Sequence, residues 1–156
     1  MSYATIQTAL AGIVRKVNGY TTKNVSEGNT RALGRGVFKA VMLRRGTENE
    51  SMRLAVTANG SYPVLDTWTV NLELFHPYRS NVETTRAYID TEMQSIVDEI
   101  RKWPKLNGTA GVISVEVRPV GEPDEWEFGT GPRSRNWWRQ IIQVQVTEVT
   151  VQTASE

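Results

Sequence analysis

The chain has 156 residues and a formal net charge of +1, with 39% hydrophobic and 22% charged residues. That balance suits a single packed domain over 1–156 and argues against disorder as the default state. It also argues against a generally basic surface of the kind that holds nucleic acid without reading it. Cysteine is absent, which rules out disulfides, thiol nucleophiles and thiolate zinc sites. The start has no signal-peptide pattern and no apolar run reaches the roughly 20 residues of a bilayer span, so the sequence predicts assembly in the cytoplasm and no membrane partner.

Ser2 can cap a first helix over Tyr3–Val17, with Ile6, Leu10, Ile13, Val14 and Val17 on one face. Gly12 weakens that helix by about 1 kcal/mol relative to alanine, and Asn18-Gly19 ends it. A polar loop at about 18–36 follows. Its length exceeds a typical connection, which suggests ordering against a neighbouring copy. Val37–Leu43 reads as a strand apolar on both faces, Val37, Val41 and Leu43 against Phe38, Ala40 and Met42. Such a strand is central, or its outer face meets another chain. Arg44-Arg45-Gly46 ends it. Met52–Thr57 is a weaker strand, Asn59-Gly60 a turn, and Pro63 makes Ser61–Leu65 irregular or an edge.

From Asp66 to Phe75 the alternation is strict: Trp68, Val70, Leu72 and Leu74 against Thr67, Thr69, Asn71 and Glu73. This marks a half-buried strand. Ser80 and Glu83 form a capping box for a helix of about six turns, with Val82, Ile89, Met93, Ile96, Val97, Ile100 and Trp103 in one stripe. Pro104 stops it at Trp103, and Asn107-Gly108 turns the chain into a strand through Ile113, Val115 and Val117. Pro119 and Gly121 end that strand. A second loop at about 121–136 is acidic first (Glu122, Asp124, Glu125, Glu127) and basic later (Arg133, Arg135, Arg139). In the final strand the apolar phase slips, Val144 and Val146 sharing one parity and Val149 and Val151 the other. A bulge, or a tail leaving the sheet, would account for the slip, and the end from 152 to 156 is expected to fray. The elements predict an α+β fold: a mixed, mainly antiparallel sheet of about four to five strands, packed against the N-terminal helix and one long amphipathic helix.

Little in the chain reads as reaction chemistry. His76 is the only histidine, with Asp66, Glu73 and Ser80 near it in sequence. A proton relay needs those partners placed by the fold, and nothing in the spacing signals it, so a small hydrolase around His76 is the weakest reading. No metal-ligand spacing occurs and no cofactor is expected. Gly34-Arg35-Gly36 and Gly129-Thr130-Gly131 lack the lysine and serine or threonine of a phosphate loop. Arg31, Arg35, Lys39, Arg44, Arg45 and Arg53 make one segment basic. A nucleic-acid-binding module is a possible use, but a solvated face or pairing with another subunit suits the near-zero net charge better. Trp137 and Trp138 are adjacent, so on a strand they face opposite sides; one joins the core and the other is a candidate interface anchor. The candidate subunit interface is therefore Arg44, Arg45, Glu125, Glu127, Arg133, Arg135, Trp137 and Trp138.

The succession of helix Tyr3–Val17, strand Val37–Leu43, strand Thr67–Phe75, capped helix Ser80–Trp103 and strands Val112–Val117 and Trp138–Val149 resembles the tail terminator (tail-completion) proteins of long-tailed bacteriophages. The likeness covers nearly the whole chain and is one of architecture and length, with no short motif. It implies a structural virion protein of the tail and neck that closes into a homo-hexameric ring. Its partners would be copies of itself, the tail tube protein and a head-side neck connector. DNA would pass through the hole unread, and the family carries no catalytic residues. Head–tail adaptors and stoppers of the same neck are similar in size and are the nearest alternative.

Overall fold

A computed structural model describes residues 3–27, 39–46, 50–77, 82–109, 111–128 and 135–153. Two helices lie on one face of a mixed, mostly antiparallel sheet, giving an α+β fold. Helix α1 is Tyr3–Val14 and α2 is Val82–Arg101. The strands are β1 (Val25–Ser26), β2 (Ala40–Arg45), β3 (Glu50–Arg53), β4 (Ser61–Pro77), β5 (Val112–Phe128) and β6 (Arg135–Thr153). They run β1-β2-β4-β6-β5 across the sheet, and β3 pairs with the free flank of β4. Among the described residues only the β1–β2 pair is parallel.

Helix α1 buries the expected stripe of Ile6, Leu10, Ile13 and Val14, with Val17 packed at its edge. Its last turn tightens, with Lys16 and Val17 donating to the carbonyls of Ile13 and Val14 three residues back. The proposed cap Ser2 lies outside the described residues, as does Ser80 before α2. Helix α2 buries Ile89, Ile96, Val97 and Ile100 and leans Met93 and Trp103 on the core. It ends at Arg101, and Lys102 and Trp103 continue it as tighter turns. Both stripes meet Val41, Leu43, Val70, Leu72, Leu74, Ile142, Val144 and Val146 from the sheet. At roughly 1.5–3 kcal/mol for each fully buried aliphatic side chain, this layer dominates the stability of the fold. After α2, Leu106, Asn107 and Gly108 all take positive φ (48°, 56° and 76°). The cost at Leu106 is offset by complete burial of its side chain.

Several boundaries differ from the sequence reading, for physical reasons. The region 18–36 is not wholly irregular: Tyr20 is buried, and Val25–Ser26 form β1 beside Val41 and Met42. Asn24 holds the turn before it, accepting from the Thr21 N–H and donating to the Gly19 carbonyl. Strand β2 includes Arg44 and Arg45 and stops at Gly46, whose N–H donates to the Thr69 carbonyl at 2.8 Å. A Cβ on Gly46 would sit 2.5 Å from the Thr69 methyl carbon, so that close approach requires glycine. The weaker strand lies over Glu50–Arg53, earlier than expected.

Two prolines fail to interrupt their strands. Strand β4 runs through Pro63, which pairs with Val151 of β6. Leu54 donates to the Pro63 carbonyl. A strand residue directs its nitrogen and carbonyl to the same side, so the proline nitrogen faces the β3 flank and the ladder to β6 loses no donor. Strand β5 likewise runs past Pro119 to Phe128, so within the expected loop at 121–136 the residues Asp124–Phe128 pair antiparallel with β6, and 129–134 lie outside the described residues. A register shift between Val120 and Asp124, with Gly121 at φ 69°, absorbs the irregularity. Val149 donates to the Gly111 carbonyl, which fixes which residues of β6 address β5. With Ser114 opposite Thr147, Pro119 turns its nitrogen to the open edge, where no ladder donor is needed.

Candidate functional site

The β4–β6 ladder is unbroken from Ser61↔Thr153 to Pro77↔Trp137. One face is therefore fixed along its whole length, and the side chains sort into two sets. Trp68, Val70, Leu72 and Leu74, with Ile142, Val144 and Val146, meet the helices. Thr67, Thr69, Asn71, Glu73 and Phe75, with Trp137, Arg139, Ile141, Gln143, Gln145 and Thr147, lie on the face turned away from them. No described helix covers this outer face.

The outer face has three bands. At one end Ala40, Met42, Phe75 and Trp137 are buried. This explains why β2 is apolar on both sides; Val37 and Phe38 of the expected strand lie outside the described residues. Beside that end runs a row of alternating charge across four strands. Glu73 pairs with Arg44 of β2 at 3.1 Å and with Arg139 of β6 at 3.8 Å. Arg139 also meets Asp124 of β5 at 3.1 Å. Glu73 is only 9% exposed, and its two arginines supply the opposite charge that burial of a carboxylate demands. The middle band is polar and uncharged at its centre: Thr67 and Thr147 lie 3.3 Å apart through their hydroxyls, and Arg118 donates twice to the Gln143 side-chain oxygen. A shallow hollow of about 240 Å³ lies there among Glu116, Val117, Arg118, Gln143 and Gln145.

The third band inverts the pattern. Beyond the helices, β3, β4 and β6 continue as a projecting arm, since β5 ends its pairing with β6 at Glu148. There the face continuous with the core turns polar apart from the buried Val64. Asp66 sits opposite Glu148, which accepts the Trp68 indole N–H at 3.0 Å; Tyr62 donates to Gln152, and the Arg53 guanidinium lies 4.1 Å over the Tyr62 ring. The outer face of the arm turns apolar instead, through Met52, Leu65 and Val149 in one rung and Leu54, Pro63 and Val151 in the next. The phase slip in the last strand is thus neither a bulge against β4 nor a departure from the sheet. β6 keeps its register and changes which face is apolar. The hairpin tip is held by Asn59, whose side-chain oxygen accepts from the Ser61 N–H and from the Thr57 and Ser61 hydroxyls, with Gly60 at φ 81°.

The candidate interface residues scatter over this frame. Arg44 belongs to the charged row, whereas Arg45 lies over the Tyr3 and Trp68 rings at 5.2 and 5.6 Å on the helix side. Trp138 packs against the core and Trp137 is buried on the opposite face, so neither is a protruding anchor. Glu125 is exposed opposite Trp138. Glu127 pairs with Asn136 and Arg135 with Phe128 along the β5–β6 ladder, and Arg133 lies outside the described residues. The acidic and basic halves of that segment therefore meet within one chain, most directly at Asp124 and Arg139. Sequence reasoning missed the charged row and the apolar arm. The arm had a signal: Leu65, Val149 and Val151 share a phase that the helix-facing residues do not.

The remaining sequence candidates resolve locally. His76 is buried at the end of β4, its Nδ1 3.2 Å from the Pro77 carbonyl and its ring stacked on Tyr88. Asp66 lies ten rungs down the same strand, roughly 33 Å away at strand rise, and Glu73 projects from the other face. Neither can relay a proton to it, and Ser80 lies outside the described residues. Of the basic segment, Lys39 pairs with Glu92 at 3.0 Å and lies over the Tyr20 ring, Arg44 pairs with Glu73, and Arg45 and Arg53 cover aromatic rings. These four are distributed over both faces, while Arg31 and Arg35 lie outside the described residues. Tyr20 donates to Glu92 at 2.7 Å, and burial together with that carboxylate pushes its hydroxyl pKa up strongly. A cleft of about 460 Å³ between the end of α1 and α2 is lined by Lys16, Lys102, Glu92, Asp98 and Glu99. Trp103 and Lys102 donate to Glu99, which lowers the pKa of that carboxyl. Lys102 pairs with Glu99, Arg101 with Asp98 and Lys39 with Glu92, while Lys16 lies over the Trp103 ring. Among the described residues no group of three or more metal-ligating side chains occurs, and no helix is long and apolar enough to cross a membrane. No protein-family model matches the chain, and no curated protein sequence matches it.

Proposed function

We propose that this chain is a structural assembly subunit, a tail terminator of a long-tailed bacteriophage acting as a homo-hexameric ring. The observation that carries the reading is the two-sided sheet. Both described helices pack on one face, while the other face carries a buried apolar end, a charged row and a polar middle, and the arm carries apolar side chains of which Met52 and Val151 are exposed. A ring subunit needs two different surfaces for its neighbours, because closed rings are built from heterologous contacts. The long β5 edge and the β3–β4–β6 arm are at separate places on the sheet and can serve as two such surfaces. The ring would sit on the last ring of tube subunits, stop their polymerisation and present its other side to the head-side connector. DNA would pass through without being read, consistent with a net charge of +1.

The direct test is functional. Purified protein added to polymerising tail tube subunits should bind tube ends and halt elongation at substoichiometric amounts. Unchanged tube growth together with tight binding to the head-side portal would overturn the terminator reading in favour of a neck adaptor. Tight, salt-sensitive DNA binding by single subunits would point instead to a nucleic-acid module.

A further inference from the structure

We propose that Asn107 is a site of spontaneous covalent modification, its side-chain amide lost to attack by the Gly108 backbone nitrogen. The inference is independent of the assembly reading above. The chain holds three Asn-Gly pairs, Asn18-Gly19, Asn59-Gly60 and Asn107-Gly108. A glycine after asparagine leaves the backbone nitrogen unshielded by a side chain. In the reaction, hydroxide removes the Gly108 amide proton and the nitrogen attacks Cγ of Asn107. The N–Cγ bond forms, the Cγ–Nδ2 bond breaks, and ammonia leaves with a proton taken from water. Water then opens the cyclic imide at either carbonyl. One product is aspartate; the other is isoaspartate, whose main chain runs through Cβ. Nothing is oxidised or reduced, and water is the only co-reactant.

The three pairs are alike in sequence and different in the fold. At the hairpin tip, the Asn59 side-chain oxygen accepts from the Ser61 N–H and from the Thr57 and Ser61 hydroxyls. The attacking group there is also engaged, since the Gly60 N–H donates to the Thr57 carbonyl at 3.0 Å. After α1, the Gly19 carbonyl accepts from the Asn24 side chain at 2.8 Å, and a Cβ on Gly19 would meet the Lys39 Nζ at 2.7 Å. Asn107 and Gly108 are exposed, and neither takes part in a hydrogen bond among the described residues. Their loop closes around them, through the Thr109 N–H donating to the Lys105 carbonyl at 3.0 Å. A Cβ on Gly108 would meet nothing within 4 Å, so the space the imide needs is open. The site matters to the fold because Leu106, Asn107 and Gly108 share positive φ and Leu106 is buried. Asparagine and aspartate accept that backbone more readily than other L residues, so the aspartate product keeps the turn. Isoaspartate adds a methylene to the main chain between Leu106 and β5, which loosens the seat of Leu106.

The test needs no variant. Unmodified protein is held at mildly alkaline pH, sampled over time, digested with trypsin and read by mass spectrometry. Trypsin releases the three pairs in separate peptides, because Lys16, Arg53 and Lys105 precede them. The Asn107 peptide should gain the mass of an amide-to-acid exchange first. Its rate should exceed that of the Asn59 peptide about tenfold or more, because part of the Asn59 network must open before attack there. Asn18 should fall between. The same incubation in urea removes the fold and should bring the three rates together. The isoaspartyl fraction, separated from aged protein, should unfold at lower urea than the remainder, and equal midpoints would overturn the loosening of Leu106. Equal rates in the folded protein, or a faster reaction at Asn18 or Asn59, would overturn the assignment. The same order of rates in urea would overturn it too, by showing that local sequence and not the fold selects the site.

Discussion

The body of the sheet and its projecting arm are made from the same two strands, yet they bury opposite faces. In the body, even-numbered residues of β4 and β6 such as Leu72 and Val144 lie under the helices. In the arm, odd-numbered ones such as Leu65 and Val151 carry the apolar surface. The changeover follows Trp68 and Val146, where the core cluster ends along these strands, and the opposed carboxylates Asp66 and Glu148 mark it. Alternation in a strand therefore reports which face is covered at each point along it. It does not define one buried face for the whole strand.

The contrast predicts that the body answers to stability measurements and the arm to assembly measurements. Leu72→Ala should have the largest effect, a loss of about 3 kcal/mol in denaturant unfolding, because it opens a cavity beneath both helices. A loss under about 1 kcal/mol would mean the helix layer is looser than its burial implies. Gly46→Ala should cost about 2 kcal/mol through its clash with Thr69. Adding Thr69→Ala should recover part of that loss, and an additive double variant would contradict the steric explanation. Glu73→Gln should cost about 1 kcal/mol, since it removes the negative centre between Arg44 and Arg139. The difference from wild type should shrink in high salt, and an unchanged difference would show that the row is not held by charge.

A smaller effect is expected in alkali. Burial pushes the Tyr3 hydroxyl up from 10.0 to about 12, against the pull of Arg45. The folded pKa lies above the unfolded one, so the contribution is complete below the unfolded value and is lost as pH rises through the window from 10.0 to about 12. Tyr3→Phe should flatten that alkaline loss in urea titrations, whereas parallel curves for the two proteins would exclude the mechanism. Smallest of all, Val151→Thr should change subunit stability by less than about 0.5 kcal/mol, because that side chain is mostly exposed in one copy. A large drop measured on dissociated subunits would show that the arm belongs to the body's core.

The two helices and the core face were legible in the sequence because their stripes, Ile6 to Val14 and Ile89 to Ile100, follow one period without interruption. Strand ends were not, because Pro63 and Pro119 break a ladder only if their nitrogens point into it, and that depends on the register with β6. The charged row was invisible for a similar reason. Arg44, Glu73, Asp124 and Arg139 are far apart in the chain, and only the pairing of four strands makes them neighbours. The tryptophan pair was read correctly as two-sided, but burial on the outer face could not be foreseen without knowing that Met42 and Phe75 lie beside Trp137's end of the sheet. The slip at Val149 was visible; its meaning was not, since a sequence does not say where the helix layer stops.

Native mass spectrometry of the purified, unmodified chain tests the central claim most directly. A dominant species of six 17.5 kDa subunits is predicted. A single subunit at every concentration, with no shift on adding tail tubes, would contradict it.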